Sequence, residues 1–151
     1  MECWDDLLNR NIYLTMEERK NKNRGFKQLR VWQEAIDLYV FVNEIFKDFP
    51  YVINKSKMNT LDACHSIQRN IAEGYCRRSA KEYLNFLNIG LASCGELNSS
   101  IISFNKAGYL RDELFDEFDK KHYKLENGLI KLAASLQYKI NQGDWNDSYA
   151  K

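Results

Sequence analysis

The segment from Ala80 to Lys106 constrains this chain more than any other stretch. It contains no proline, and Tyr83, Leu87, Gly90, Cys94, Leu97, Ile101 and Phe104 recur along it at alternating steps of four and three. That spacing marks one stripe of an α-helix, whereas a strand would alternate every second residue. A helix with an apolar stripe has to bury it against another element, so the rest of the chain must supply partners. Gly90 and Cys94 keep the middle of the stripe thin, which lets a neighbouring backbone come close, from this chain or from another copy of it.

Three further stretches carry the same period. A first helix is expected over Leu29 to Phe49, with Val31, Ala35, Leu38, Val42, Ile45 and Phe49 as its seam. A second row, Trp32, Ile36, Tyr39 and Phe46, widens its apolar surface, and Trp32 reads as a core residue. Pro50 stops this helix, because proline disfavours helical geometry in the residue before it. The second helix is expected over Ser56 to Tyr75, with Met58, Leu61, Cys64, Ile67, Ile71 and Ala72 inward. The fourth starts near Asp112, whose neighbouring acids suit a helix N-terminus. Its inward row is Leu114, Phe118, Leu125, Leu129, Leu132 and Leu136, and it fades near Ile140. With one Pro and 7 Gly there is little material for further turns. The expected fold is all-α, an antiparallel up-and-down four-helix bundle over residues 26–142, with an N-terminal arm (1–25) and a C-terminal tail (143–151).

The junction between the second and third helices is written in punctuation. Gly74 is expected to close one helix in the left-handed conformation, and Ser79 with Glu82 forms a capping box that opens the next. Lys106 and Gly108 should end the third helix. His65, Gln68, Asn70 and Glu73 lie on or near the apolar face of the second helix, where polar groups need partners. Asn70 and Glu73 are expected to be satisfied structural polars, joined to the arginines of the turn.

Charge gives a local signal and no global one. There are 22 Lys and Arg against 21 Asp and Glu, a net charge of +1, so whole-molecule charge makes no case for nucleic acid. Lys20, Lys22, Arg24, Lys27 and Arg30 nevertheless follow one another without an intervening acid. Arg69, Arg77, Arg78 and Lys81 form a second basic group around the turn. Either group could contact phosphates; the first could equally be a solvated lead-in, and the arginines of the second could hold Glu73, Glu82 or a helix end.

Catalytic chemistry finds little support. Four cysteines without a C-x-x-C pair and only two histidines, His65 and His122, make no metal site, and no cofactor is expected. No phosphate-binding loop, zinc-protease or nucleophile-elbow motif occurs. The acids from Asp112 to Asp119 fit a helix's first turns. No signal-peptide core and no membrane-length apolar run is present, so a reduced, cytoplasmic, non-enzymatic protein is expected.

Several separated motifs also agree with one known family. Phe26-Lys-Gln-Leu-Arg-Val-Trp-Gln33, Asn70-Ile-Ala-Glu-Gly74, Arg77-Arg-Ser79, Lys81-Glu-Tyr83 and Gly108-Tyr-Leu110 occur in one order and register across about Phe26 to Gln137. In these the chain resembles the bacterial four-helix-bundle proteins encoded in intervening sequences of large-subunit ribosomal RNA genes. The resemblance implies an up-and-down bundle that assembles into ring-like homo-oligomers, typically pentamers. It also implies kinship in fold with the accessory variability determinant of diversity-generating retroelements, which partners a reverse transcriptase and binds nucleic acid. The chain departs from the family pattern at Leu61 and Asp62, where a basic pair is usual, at Gln68, where proline is usual, and at Cys76, where a second glycine is usual. Two readings follow: an oligomer that binds RNA or DNA backbone through its basic groups, and a protein-interaction scaffold for a reverse transcriptase or another locus-encoded protein.

Overall fold

A computed structural model describes residues 22–143 of the chain. Among these residues there are four α-helices and no strand. They are α1 (Arg30–Ile45), α2 (Asn54–Tyr75), α3 (Ala80–Lys106) and α4 (Asp112–Gln142). A 3-10 segment, Lys22–Gln28, precedes α1, and two 3-10 turns, Phe46–Asp48 and Tyr51–Ile53, lead into α2. Each helix packs beside the next in sequence, and α4 closes the square against α1. This is the up-and-down bundle, and its helix limits agree closely with the periodicity.

The core lies along the expected seams. Leu38, Val42, Ile67, Ile71, Leu87, Leu97, Ile101, Phe118, Leu125 and Leu129 are each 0% exposed. Burying one such side chain stabilises the fold by about 1.5–3 kcal/mol. Five residues placed inward by sequence are not fully buried: Met58 is 52% exposed, Ala72 is half-buried, and Leu61, Leu114 and Leu132 are half-buried against the core. Met58 sits in the first turns of α2, a few residues after the exposed Tyr51 and Val52.

The junctions follow from local chemistry. Phe49 is extended (φ −76°, ψ 141°), as a residue before proline should be, and α1 has already tightened into its 3-10 turn. The end of α3 is a Schellman turn: the Tyr109 amide donates to the Phe104 carbonyl at 2.9 Å and the Gly108 amide to that of Asn105 at 3.0 Å. Gly108 has φ +82°, which glycine adopts at little cost. Ser79 caps α3 as expected, its Oγ accepting from the Glu82 amide at 3.2 Å and its hydroxyl donating to Glu82 Oε2 at 3.1 Å.

Gly74 departs from its expected role. It does not end α2, which continues to Tyr75, and its φ is not positive. It is a close-approach residue instead. A Cβ there would stand 2.8 Å from both Phe86 Cβ and Tyr83 Cδ2. The turn needs no left-handed residue at all: Cys76, where a second glycine is usual, has φ −79° and is unstrained.

The α2–α3 interface is also pinned by a polar ladder. Asn70 Nδ2 donates to the Ser66 carbonyl at 2.8 Å and to Ser66 Oγ at 2.9 Å. Ser66 Oγ in turn meets Ser93 Oγ at 2.9 Å. Gly90 lies opposite Asn70 and Ile67, and a Cβ there would be 3.8 Å from each, so the thin centre of the α3 stripe faces α2.

Candidate nucleic-acid interface

An up-and-down bundle puts the start of α1, the end of α2 and the start of α3 at one end. The Lys22–Gln28 segment is held there by aromatic packing. Phe26 meets Trp32 edge-on at 5.3 Å between ring centroids and Tyr75 at 6.4 Å. Tyr75 meets Tyr83 at 6.1 Å. Gly25 lies so close to the Tyr75 hydroxyl that any side chain would collide with it. The Leu29 amide donates to the Phe26 carbonyl at 3.0 Å and Gln33 Nε2 to that of Lys27 at 2.9 Å, fixing the segment's entry into α1. Trp32 is half-buried against the core, the role its position in the second row implies.

This packing brings together at one end of the bundle the elements that carry the two basic groups, which are separate in sequence. Arg24 and Lys27 come from the 3-10 segment, Arg30 from the first turn of α1, Arg77 and Arg78 from the turn, and Lys81 from the first turn of α3. Arg69 is exposed on α2 two turns above the junction. Lys22 starts the described backbone, and Lys20 lies outside the described residues.

Two of the cations are engaged. Arg77 Nη2 donates to Glu73 Oε1 at 2.5 Å, and its guanidinium lies 4.6 Å above the Phe86 ring. Glu73 thereby has the arginine partner expected for it, whereas Asn70 is satisfied by Ser66 and not by an arginine. Arg30 Nε is 3.3 Å from Glu34 Oε1, which Lys124 Nζ approaches at 3.1 Å. Arg24, Lys27, Arg69, Arg78 and Lys81 have no ion-pair partner among the described residues. Glu82 accepts from the Ser79 hydroxyl and makes no ion pair with Arg78. Such a cluster attracts anions, and its guanidinium and ammonium groups suit phosphate oxygens.

The periodicity reading passed over other buried groups. His122 is 1% exposed, stacks on Phe118 at 5.4 Å and places Nε2 at 2.8 Å from the Cys94 carbonyl oxygen. A carbonyl only accepts, so that nitrogen carries the proton. The signal was present, since His122 falls four residues after Phe118 and three before Leu125 in the inward row. Burial pushes the thiols of Cys64 and Cys94 up to about 12, aided at Cys64 by Cys94 and at Cys94 by Glu126. These thiols behave as small apolar groups. Among the described residues no group of three or more His, Cys, Asp or Glu could hold a metal ion. A cleft of about 520 Å³ lies at the opposite end, between Phe41, Phe49, Tyr109 and Leu114 with Glu44 and Asp48 near them. No described helix is long and apolar enough to cross a membrane.

The profile of the 23S rRNA-intervening sequence proteins matches residues 27–131. The chain belongs to that family. Within this 23S rRNA-intervening sequence protein, the matched region holds the first three helices, all three junctions between helices, among them the α2–α3 turn with its basic group, and α4 as far as Lys131. Lys27, Arg30, Arg69, Arg77, Arg78 and Lys81 fall inside it; Lys20, Lys22 and Arg24 precede it. No curated protein matches the chain.

Proposed function

We propose that this 23S rRNA-intervening sequence protein is a non-enzymatic, cytoplasmic homo-oligomer that binds the backbone of RNA or DNA through the basic end of its bundle. The observation that carries the reading is that packing of the 3-10 segment on the end of α2 puts Arg24 and Lys27 at the same end of the bundle as Arg78 and Lys81, about fifty residues on in sequence, with none of the four in an ion pair among the described residues. Phosphate contacts position a protein on nucleic acid and need positive charge at the right spacing more than base recognition. A ring of subunits, as the family resemblance implies, repeats the patch around an axis and raises avidity without a large charge on one chain.

The test is RNA binding at several salt concentrations for the wild type and for Arg78→Ala with Lys81→Ala. Each lost phosphate contact should reduce the logarithmic salt slope by about one. An unchanged slope and affinity would remove these residues from the interface. Size-exclusion chromatography with light scattering supplies the assembly state; a clean monomer would end the ring argument.

A second reading is a protein-interaction scaffold, accessory to a reverse transcriptase or another locus-encoded protein. It is favoured by the outer face of α3, where Asn85, Ile89, Ala92, Ser99 and Ile102 are exposed and Glu96 is the one charge between Tyr83 and Asn105. Charge depletion is the compositional mark of an interface core. Weak RNA binding with retained assembly would select this reading over the first.

A further inference from the structure

Two aromatic rings at the basic end are left out of the core cluster. Trp32 and Tyr75 pack against it, but Phe26 and Phe86 do not, and both are half-buried. They flank the last turn of α2. Phe26 leans on Tyr75, while Phe86 lies beside Gly74 and beneath the Arg77 guanidinium. Arg77 covers Phe86 at 4.6 Å with 40% of its own side chain exposed, and Lys27 follows Phe26 in the chain.

The position of Phe86 is imposed by the fold. Gly74 lets the α3 backbone approach α2 closely, and this close approach holds Phe86 against the junction. Gly25 does the same for the 3-10 segment, since only glycine fits beneath the Tyr75 hydroxyl with Phe26 laid on the Tyr75 ring. Neither ring belongs to the core cluster, and each keeps part of its apolar surface at the basic end of the bundle.

We propose that Phe26 and Phe86, with the Arg77 plane, form a stacking platform for unpaired bases, so that the basic end takes single-stranded nucleic acid in preference to duplex. This rests on the backbone-binding reading and adds the ligand class. Paired bases are stacked within their helix and present edges, whereas an unpaired base offers a face that an aromatic ring or guanidinium can cover. Lys27, Arg78 and Lys81 then hold the phosphates on either side. Base–aromatic stacking by one ring is worth about tenfold or more in affinity and tolerates any sequence.

The experiment is fluorescence anisotropy with the full-length protein and two probes, a labelled mixed-sequence single-stranded RNA and the same RNA annealed to its complement. Phe26→Leu and Phe86→Leu keep apolar bulk while removing the stacking face. The single strand should bind at least tenfold more tightly than the duplex. Each variant should lose about tenfold for the single strand, with duplex binding and the salt slope unchanged. Equal binding of the two probes by the wild type would overturn the platform while leaving the backbone-binding reading intact, whether or not the variants fold. Binding of neither probe would overturn both.

Discussion

Gly74 and Gly90 both face a neighbouring helix across α2 and α3, yet the same substitution at the two should act in opposite directions. Replacing a helical glycine by alanine removes backbone freedom from the unfolded chain and stabilises a helix interior by about 0.5–1 kcal/mol. At Gly90 nothing opposes this gain: the new methyl would stand 3.8 Å from Asn70 Cβ and the Ile67 carbonyl, an ordinary contact. At Gly74 it would stand 2.8 Å from Phe86 Cβ and Tyr83 Cδ2 and 3.2 Å from the Tyr83 carbonyl oxygen. Carbon atoms prefer about 3.5–4.0 Å, so α2 and α3 must part by several tenths of an ångström. Phe86 Cβ cannot rotate away, being fixed to its own helix. Overpacking of this kind costs about 1–3 kcal/mol, which exceeds the helix gain. Gly90→Ala should therefore raise the melting temperature by about 2–3 °C and Gly74→Ala lower it by several degrees, at about 2–4 °C per kcal/mol for a chain of this size. Thermal melts followed by circular dichroism, with a urea titration to check that the m-value is constant, measure both. A Gly74→Ala protein as stable as the Gly90→Ala protein would refute the close-approach argument.

Ser79→Ala removes an N-cap that accepts from Glu82 and should cost about 1 kcal/mol by urea titration, with assembly unchanged. His122→Ala opens a cavity in a fully buried site and should cost about 2–4 kcal/mol, whereas His122→Phe keeps most of the volume and should recover about half. At pH 8 the thiols of Cys64 and Cys94, pushed up to about 12, are almost entirely protonated, so a thiol reagent should reach them only after unfolding. Mass spectrometry of the labelled peptides checks this. The same shift sets a pH dependence. A thiol titrating near 9 when unfolded and near 12 when folded keeps its proton only in the native state, so stability is full below pH 9 and falls as pH rises towards 12. Replacing both cysteines by Ala should flatten that decline; Tyr83, also raised by burial, will contribute a residual slope.

What the sequence made legible was whatever obeys a period or a local cap. The α3 limits, the Ser79 cap and the Gly108 stop all follow from contacts within a few residues, and they stand where the spacing puts them. Gly74 was misread because a glycine near a helix end has two uses, a left-handed turn and a close approach, and only the position of Phe86 distinguishes them. Met58 was misplaced because a helical row continues in sequence beyond the point where a neighbour covers it. The candidate interface was half legible. Both basic groups could be seen, but their union depends on Phe26 finding Trp32 and Tyr75, a contact no local pattern encodes. The pairing of Arg77 with Glu73, and the lack of an ion pair at Arg78 among the described residues, likewise depend on which carboxylates the folded chain brings near.

The basic end is assembled from three parts of the chain, the 3-10 segment with the start of α1, the end of α2, and the start of α3, so it exists only once these are docked. In the unfolded ensemble the same cations are scattered along a near-neutral polymer. An anionic ligand that recognises their arrangement therefore binds the native state and little else, and by mass action its binding energy becomes folding energy. At one hundred times its dissociation constant such a ligand adds about 2.7 kcal/mol, comparable with burying one leucine. Partner concentration would then help set how much of the chain resists proteolysis, and a protein read as a binder of its ligand would equally be a client of it.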